Sequence, residues 1–239
     1  MPTKYYRVHG GKVSFAEYWR MSPNTLTFGI AAIAKLFGGL PMNFSIPRPS
    51  ELHVVDWDDV PKAARKAMRT PIEELESAGL MFQFCHQLPV LERTRLGIGV
   101  VLLSPDGKTF ATVNHAADAN ANLKETQVSC VSRFVDEGFG CTTSAKKQFK
   151  PIPEDITFRH LDMPADELYE RHLDYLAGWE DDGRKVRRFN SETVHDVMLE
   201  GEQRHVDFHV ERGVYVPMTK AEIRRIREEQ EGADEDDEE

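Results

Sequence analysis

Two histidines that stand four residues apart, with an aspartate between them, are the strongest candidates for chemistry in this chain. They are His205, Asp207 and His209, in the segment HVDFH. On a helix the two histidines would share a face, and on a strand all three side chains would. Two imidazoles so placed suit zinc or a similar metal ion, and His172 or His195 could complete the shell. The chain has no HExxH motif and no cysteine nearby to strengthen this metal hypothesis.

The same cluster could act without a metal, because a free imidazole has a pKa of about 6.5 and can give or take a proton near neutral pH. A hydrolase of a small molecule, metal-assisted or using a histidine as general base, is therefore the alternative hypothesis for this chain. No G-x-S-x-G motif indicates a serine nucleophile. We expect no cofactor.

Three other segments carry residues that can bind ligands, and each has an ordinary structural explanation. The segment RTRLGIG, residues 93 to 99, precedes the strand-like VVLLS instead of a helix, so we discard a phosphate loop. The segment HAADANANL is interpreted as a polar loop between strands, and it holds His115, Asp118, Asn120 and Asn122. A basic stripe on a short helix is interpreted as a solvated face; its members are Lys62, Arg65, Lys66 and Arg69.

The most apolar segment, residues 25 to 46, predicts an amphipathic helix that is too short to cross a membrane. We expect the helix from about Thr25 to Phe37, since Asn24 is a suitable N-cap and two glycines follow. Lys35 would lie near the middle of a span, at a cost of about 2.5 to 3.5 kcal/mol. An apolar stripe at spacings of three and four runs along the helix; its members are Leu26, Ile30, Ile33, Ala34 and Phe37, and we take Leu26, Ile30, Ile33 and Phe37 as the candidate docking residues.

Two interpretations of this stripe remain. The ordinary one is that it packs against the protein's own core, and we favour it. The second is that it docks on a partner or lies in a membrane interface, with Tyr18 and Trp19 at the level of the headgroups.

The elements that must position these residues predict an α+β fold with one antiparallel, meandering sheet of about six strands. Two short helices are expected over residues 56 to 79, the second restarting at Pro71, and strands of period two follow from Leu80. The connections between strands are short, which favours antiparallel neighbours. Helices are expected before and after the sheet, among them ADELYERHLDYLAG and residues 191 to 212.

The last twelve residues hold nine acids and no base, and without them the formal net charge changes from −10 to −1. Such a segment predicts a disordered acidic tail. We therefore divide the chain into an N-terminal segment with the amphipathic helix (1–50), an α+β domain (51–180), a helical extension (181–227) and the tail (228–239).

Three cysteines without a CxxC pair, Cys85, Cys130 and Cys141, favour buried thiols in a reducing compartment. Together with the absence of catalytic motifs, this predicts a cytoplasmic, non-catalytic binding protein, peripheral at a membrane surface in one version. Its partner would be a protein, a small molecule or a membrane surface, and we do not expect nucleic acid.

Overall fold

The protein is described here by a computed structural model. It describes residues 3–22, 24–36, 38–39, 42–92, 94–120, 122–136, 138–147 and 149–236, with the backbone alone for 42–44 and 230–236. The elements follow in chain order as β1 (Lys4–Val8), α1 (Phe15–Met21), α2 (Thr25–Leu36), β2 (Met42–Arg48), β3 (His53–Val55), α3 (Lys62–Ser77), β4 (Met81–Gln87), β5 (Arg95–Leu103), β6 (Phe110–Asp118), β7 (Leu123–Arg133), β8 (Phe139–Thr143), β9 (Ile156–Arg159), α4 (Ala165–Asp181), α5 (Thr193–Glu211), β10 (Tyr215–Pro217) and α6 (Lys220–Asp236). The α+β class is confirmed.

A seven-stranded sheet, in the sequential order β3 to β9, forms the centre of the fold. The six predicted strands are all present as β4 to β9, and β3 adds a short seventh at the edge. The prediction of one antiparallel sheet is wrong in two respects: β8 and β9 are parallel, and a second sheet exists. The parallel pair has a physical reason. Residues 144 to 155 are numerous enough to bring the chain back to the end at which β8 begins, so β9 runs in the same direction as β8.

The first face of this sheet is covered by α3 and α4 and carries the largest buried cluster. In this cluster the helices contribute Met68, Leu75 and Leu168, and β5 contributes Val100 and Leu102. All five side chains are fully buried. The expected break at residue 71 is wrong, because α3 runs through Pro71 without interruption. Its buried positions continue on both sides of the proline, so packing outweighs the local signal for a new helix start.

The second face is covered by α5, whose first half packs on the residues that alternate with those of the first face. Val194 and Met198 contact the cluster that contains Val101, Leu103 and Phe110. The second half of α5 belongs to a different cluster, in which Val206 packs with residues near both ends of the chain. This helix therefore joins the large sheet to the rest of the molecule.

The smaller sheet has three strands in the order β10, β1, β2, so it joins the N-terminal segment to the C-terminal extension. Tyr6 and Val8 of β1 pack with Tyr215 of β10 and with Val13, which precedes α1. The division into segments remains a prediction. The tail was expected to be disordered, but the backbone of α6 continues to Asp236, so its disorder is not confirmed.

Candidate docking surface

Two helices near the N-terminus, α1 and α2, begin with hydrogen-bonded caps and pack against each other. Ser14 and Glu17 form a complete capping box at the start of α1. At the start of α2 the Asn24 side chain accepts hydrogen bonds from the backbone and hydroxyl of Thr27, at 2.9 and 3.0 Å. The predicted N-cap is thus confirmed, and the helix ends at Leu36, close to the predicted end. Phe37 lies outside the described residues.

The inner side of α2 carries one large apolar side chain, Phe28, which packs against the cluster of the small sheet, beside a small residue and a lysine. Ala31 is the buried residue of this helix, at 2% exposure. The Lys35 ammonium donates to the carbonyl oxygens of Gly11 and Val13, at 2.8 and 2.5 Å. The lysine that argued against a membrane span therefore points inward and holds α2 on the turn beneath it.

The outer side of α2 is apolar and faces solvent, and two exposed aromatic side chains of α1 adjoin this helix, Phe15 beside Lys35 and Trp19 beside Phe28. We name this set the docking face; its members are Phe15, Trp19, Leu26, Ile30, Ile33 and Leu36, with exposed fractions of 47% to 75%. The predicted docking residues Leu26, Ile30 and Ile33 all lie in it. The favoured interpretation, that this stripe packs in the protein's own core, is therefore wrong.

Tyr18 and Trp19, which are adjacent residues of α1, differ in their exposure to solvent. Tyr18 is 2% exposed and lies in the cluster of the small sheet, so the expectation that it meets headgroups is wrong. Trp19 is 55% exposed, and its ring stands edge-on to Phe28 at 5.0 Å. Phe15 and Leu36 were not predicted, because α1 was not predicted and Leu36 lies beside the predicted stripe.

A buried carboxylate fixes α1 to the rest of the molecule. Glu17 is 0% exposed and accepts hydrogen bonds from the backbone of Ser14 and of Lys150, each at 2.8 Å. It also forms an ion pair with Arg212 at 2.8 Å, next to the end of α5. Burial acts to raise the pKa of Glu17, but the hydrogen bonds from Ser14, Lys150 and Arg212 outweigh it and lower the pKa to about 2. Hydrogen bonds and an ion pair of Glu17 thus attach α1 to the rest of the molecule, as Lys35 attaches α2.

The candidate metal ligands lie in three separate places. Asp207 faces β2, where both of its oxygens accept hydrogen bonds from Arg48, at 2.7 and 2.8 Å. His205 and His209 lie together, with ring centroids 4.7 Å apart. His172 is on α4, between Ser132 and Thr142 on the first face of the large sheet. No group of three or more histidine, cysteine or acidic residues suited to a metal occurs among the described residues.

The protonation of His209 follows from its neighbour. Its Nδ1 lies 3.0 Å from Arg212, whose guanidinium only donates, so Nδ1 accepts and the ring proton is on Nε2. Burial first, and then His205 and Arg212, lower the pKa of His209 to about 3. In this arrangement neither ring nitrogen of His209 offers a lone pair to a substrate. The rings of Phe149 and Tyr215 pack against it instead.

His195, the alternative fourth ligand, lies near the start of α5 and contacts Asp196 at 3.4 Å, while His205 and His209 are in the last two turns. The expected polar loop HAADANANL is mostly strand, because β6 continues to Asp118 and β7 begins at Leu123. His115 is buried in β6 beside Thr126, at 2.9 Å. Asn120 and Asn122 lie in the turn between the strands, whereas His115 and Asp118 belong to β6. The four residues therefore do not share one loop.

The basic stripe of α3 borders a cavity of about 340 Å³ that contains none of the histidine candidates. Trp57, Ile72 and Phe82 line the cavity together with Arg69, Glu73 and Glu76. Arg65 is paired with Asp58 at 3.2 Å. The stripe therefore faces solvent and acids, as predicted for an ordinary helix face.

Among the described residues, no helix combines the length and the apolarity that crossing a membrane requires. Comparisons with protein-family models, with curated proteins and with solved structures found no match to this chain.

Proposed function

We propose that this protein docks peripherally on an anionic membrane surface through the docking face. The observation that carries the proposal is the orientation of α2, whose Leu26, Ile30 and Ile33 face solvent while Phe28 and Lys35 face the protein. A helix that packs in a core has the opposite orientation. An interfacial helix buries its apolar side at the boundary between headgroups and acyl chains, without spanning.

The docking face offers enough apolar area for reversible binding. Burying a large aliphatic or aromatic side chain completely contributes about 1.5 to 3 kcal/mol. The six members of the face are already partly buried, so each contributes a fraction of that value. Their sum is on the order of several kcal/mol before the cost of association. Trp19 at the border of the face suits the headgroup region, because its ring is apolar and its N–H is polar.

The charge around the docking face favours an anionic surface over a neutral one. Residues 1 to 50 contain six lysines and arginines but a single acid, Glu17, which is buried and paired with Arg212. Three of these bases already have partners, since Arg7 contacts Glu222, Arg48 contacts Asp207 and Lys35 donates to backbone carbonyls. Lys4, Lys12 and Arg20 therefore supply the attraction to an anionic surface. Each basic residue near an anionic membrane contributes about 1 kcal/mol, and the attraction weakens with salt. A protein partner for the same face is the competing explanation, and the experiment below separates the two.

Flotation with vesicles that contain phosphatidylserine tests the proposal directly. We expect the wild type to float with the vesicles and the double variant Ile30→Glu/Ile33→Glu to stay in the dense fraction. A matched control is Leu161→Glu/Leu173→Glu, which places two acids at exposed leucines outside the docking face. This control should float like the wild type.

Since Ile30 and Ile33 are exposed, the docking variant should also keep the melting temperature of the wild type. Failure of the wild type to float would contradict the proposal and favour a protein partner. Equal loss of binding in both double variants would show that the added negative charge, and not the docking face, causes the loss. A large fall in melting temperature for the docking variant alone would show that the face is packed.

The hydrolase hypothesis, with a histidine cluster as its site, stays a prediction. No contact among the described residues favours it, since His209 is occupied by Arg212 and Asp207 by Arg48. Metal analysis of the purified protein tests the metal version, and a stoichiometric metal ion would support it.

A further inference from the structure

The cavity of about 340 Å³ beside α3 is open to solvent and shares no residue with the docking face. One side of α3 forms a wall of it, because the residues that α3 contributes follow spacings of three and four; they are Arg69, Ile72, Glu73 and Glu76. Phe82, at the start of β4, is 42% exposed, so a ligand can reach the aromatic part of the lining from solvent. A cavity of this volume suits a small molecule.

Two aromatic side chains line the cavity, one from each of the segments that flank α3 in the chain. Phe82 is opposite Leu102 in the pairing of β4 with β5, so its ring lies on the face of the sheet that α3 covers. Trp57 lies near the start of β4, because it follows β3 by two residues and β3 ends opposite Cys85. The backbone N–H of Val60 donates to the Trp57 carbonyl at 3.2 Å and closes the turn that presents this ring.

The charged part of the lining has an excess of negative charge. It consists of the two acids Glu73 and Glu76 and the one base Arg69, which gives a net charge of −1. None of these three side chains forms an ion pair within the part of the chain that the structure describes, whereas Arg65 one turn earlier is paired with Asp58 at 3.2 Å. Two carboxylates three residues apart on a helix repel each other. A cation bound in the cavity would offset this repulsion.

We propose that this cavity binds a small quaternary ammonium cation of the choline type. The faces of aromatic rings attract cations, and quaternary ammonium groups are typical ligands of aromatic sites. Such a group has no N–H donor, so its contact with Trp57, Ile72 and Phe82 leaves no donor without a partner. A primary ammonium in the same place would lose its hydrogen bonds to water. The carboxylates of Glu73 and Glu76 add electrostatic attraction, and the inference does not depend on the proposed function.

Calorimetric titration of the full chain with choline tests the proposal. The matched ligand is dimethylbutanol, in which carbon replaces the quaternary nitrogen, so the two compounds have the same shape and differ in charge. The wild type should bind choline roughly tenfold more tightly, the size of a partly desolvated cation–π contact. Equal binding of the two compounds would show a merely apolar cavity and overturn the proposal. Absence of choline binding at millimolar concentration would also overturn it.

Variants of the lining separate the aromatic and the charged contributions. Trp57→Leu should lose the preference for choline over dimethylbutanol. Glu73→Gln/Glu76→Gln should weaken choline binding and leave dimethylbutanol binding unchanged. The matched control Glu167→Gln/Glu170→Gln removes two exposed acids at the same spacing from α4 and should bind choline like the wild type.

Glu73 and Glu76 are exposed, so their double variant should keep the melting temperature and carries the test even where Trp57→Leu fails to fold. The same weakening of choline binding in the α4 control would trace the effect to net charge and overturn the site.

The trimethylammonium group of choline also occurs on phosphatidylcholine, so a further titration distinguishes the two sources. Vesicles of phosphatidylcholine alone should not displace choline from the wild type. Displacement that Trp57→Leu abolishes would show that the cavity binds a lipid headgroup, and it would overturn the assignment to a small molecule.

Discussion

Glu17 is the residue on which the position of the docking face depends most. It is the sole acid of the first fifty residues, and its buried charge is balanced by Arg212 and by the donors of Ser14 and Lys150. We expect Glu17→Gln to lower the free energy of unfolding by about 3 kcal/mol, because Arg212 is then left partly buried without its counter-ion. Urea denaturation measures this loss.

A second capping glutamate provides the control for that variant. Glu222 caps α6 through Thr219 and pairs with Arg7, but this pair is exposed. Glu222→Gln should therefore cost much less. Equal losses in the two variants would show that Glu17 acts as a helix cap only.

The pKa of Glu17 also predicts how its contribution depends on pH. Because the folded-state pKa is lowered to about 2 from an ordinary value of 4.5, its contribution is complete above pH 4.5 and is lost as the pH falls toward 2. The difference in stability between wild type and Glu17→Gln should shrink over this window. A difference that is constant from pH 6 to pH 2 would contradict the assignment.

His172 predicts a different pH window, because it is buried as the neutral form. Ser132 donates to the carbonyl of Lys108, so it accepts from His172 Nε2–H, while His172 Nδ1 accepts from Thr142. Burial lowers the pKa of His172 to about 4 from 6.5. The unfolded chain therefore takes up the proton first, and stability should fall as the pH decreases from about 6.5 to 4.

His172→Phe should reduce this pH dependence and cost about 2 kcal/mol or more at pH 7, since two buried hydroxyls lose a partner. His195→Phe, at a partly exposed histidine near the start of α5, is the control and should change stability little. Thermal unfolding as a function of pH measures both effects, and an unchanged pH profile in His172→Phe would refute the assignment.

At the scale of elements, the attachment of α2 depends on a glycine just after its end. Gly39 has φ of +92°, and a Cβ atom built on it would lie 2.3 Å from the backbone of Gly10 and Gly11. Gly39→Ala should therefore move the end of α2 away from this turn, increase hydrogen exchange in α2 and weaken vesicle binding.

Gly29 provides the matched control on the same helix. A Cβ atom added there meets nothing within 4 Å. Gly29→Ala should keep vesicle binding and raise stability by about 0.5 to 1 kcal/mol, because alanine favours the helix interior. If Gly39→Ala behaves like Gly29→Ala, the close approach does not hold the helix.

Local signals predicted the elements well, and long-range contacts explain what was missed. Asn24 and the glycines after residue 37 predicted α2, and alternation, one apolar run and the turn residues after Leu80 predicted six strands. The pairing of β1 with β10 joins residues about two hundred positions apart, so no local pattern could indicate it. The stripe Leu26, Ile30 and Ile33 predicted an amphipathic helix, but the same periodicity fits a core face and a docking face. Only the inward position of Lys35 distinguishes them.

At the scale of the whole molecule, we expect the acidic tail to weaken the attraction between the basic N-terminal segment and an anionic membrane. The ion pairs at the end of α6, Arg224 with Glu228 and Arg225 with Glu229, are exposed and contribute little to stability. We expect deletion of residues 229 to 239 to leave the melting temperature nearly unchanged. The deletion should strengthen binding to anionic vesicles at low salt, since eight acids are removed, and the gain should vanish at high salt. A large loss of thermal stability would show that the tail packs against the fold.

The depth of Trp19 in the membrane tests the central claim most directly. Lipids that carry a quencher at the boundary between headgroups and acyl chains should quench the wild type strongly. They should quench Trp19→Phe weakly, since Trp57 and Trp179 lie outside the docking face. Both proteins should float with the vesicles, so that the difference reports depth and not occupancy. Equal quenching of the two vesicle-bound proteins would mean that another surface contacts the membrane, and it would contradict the account.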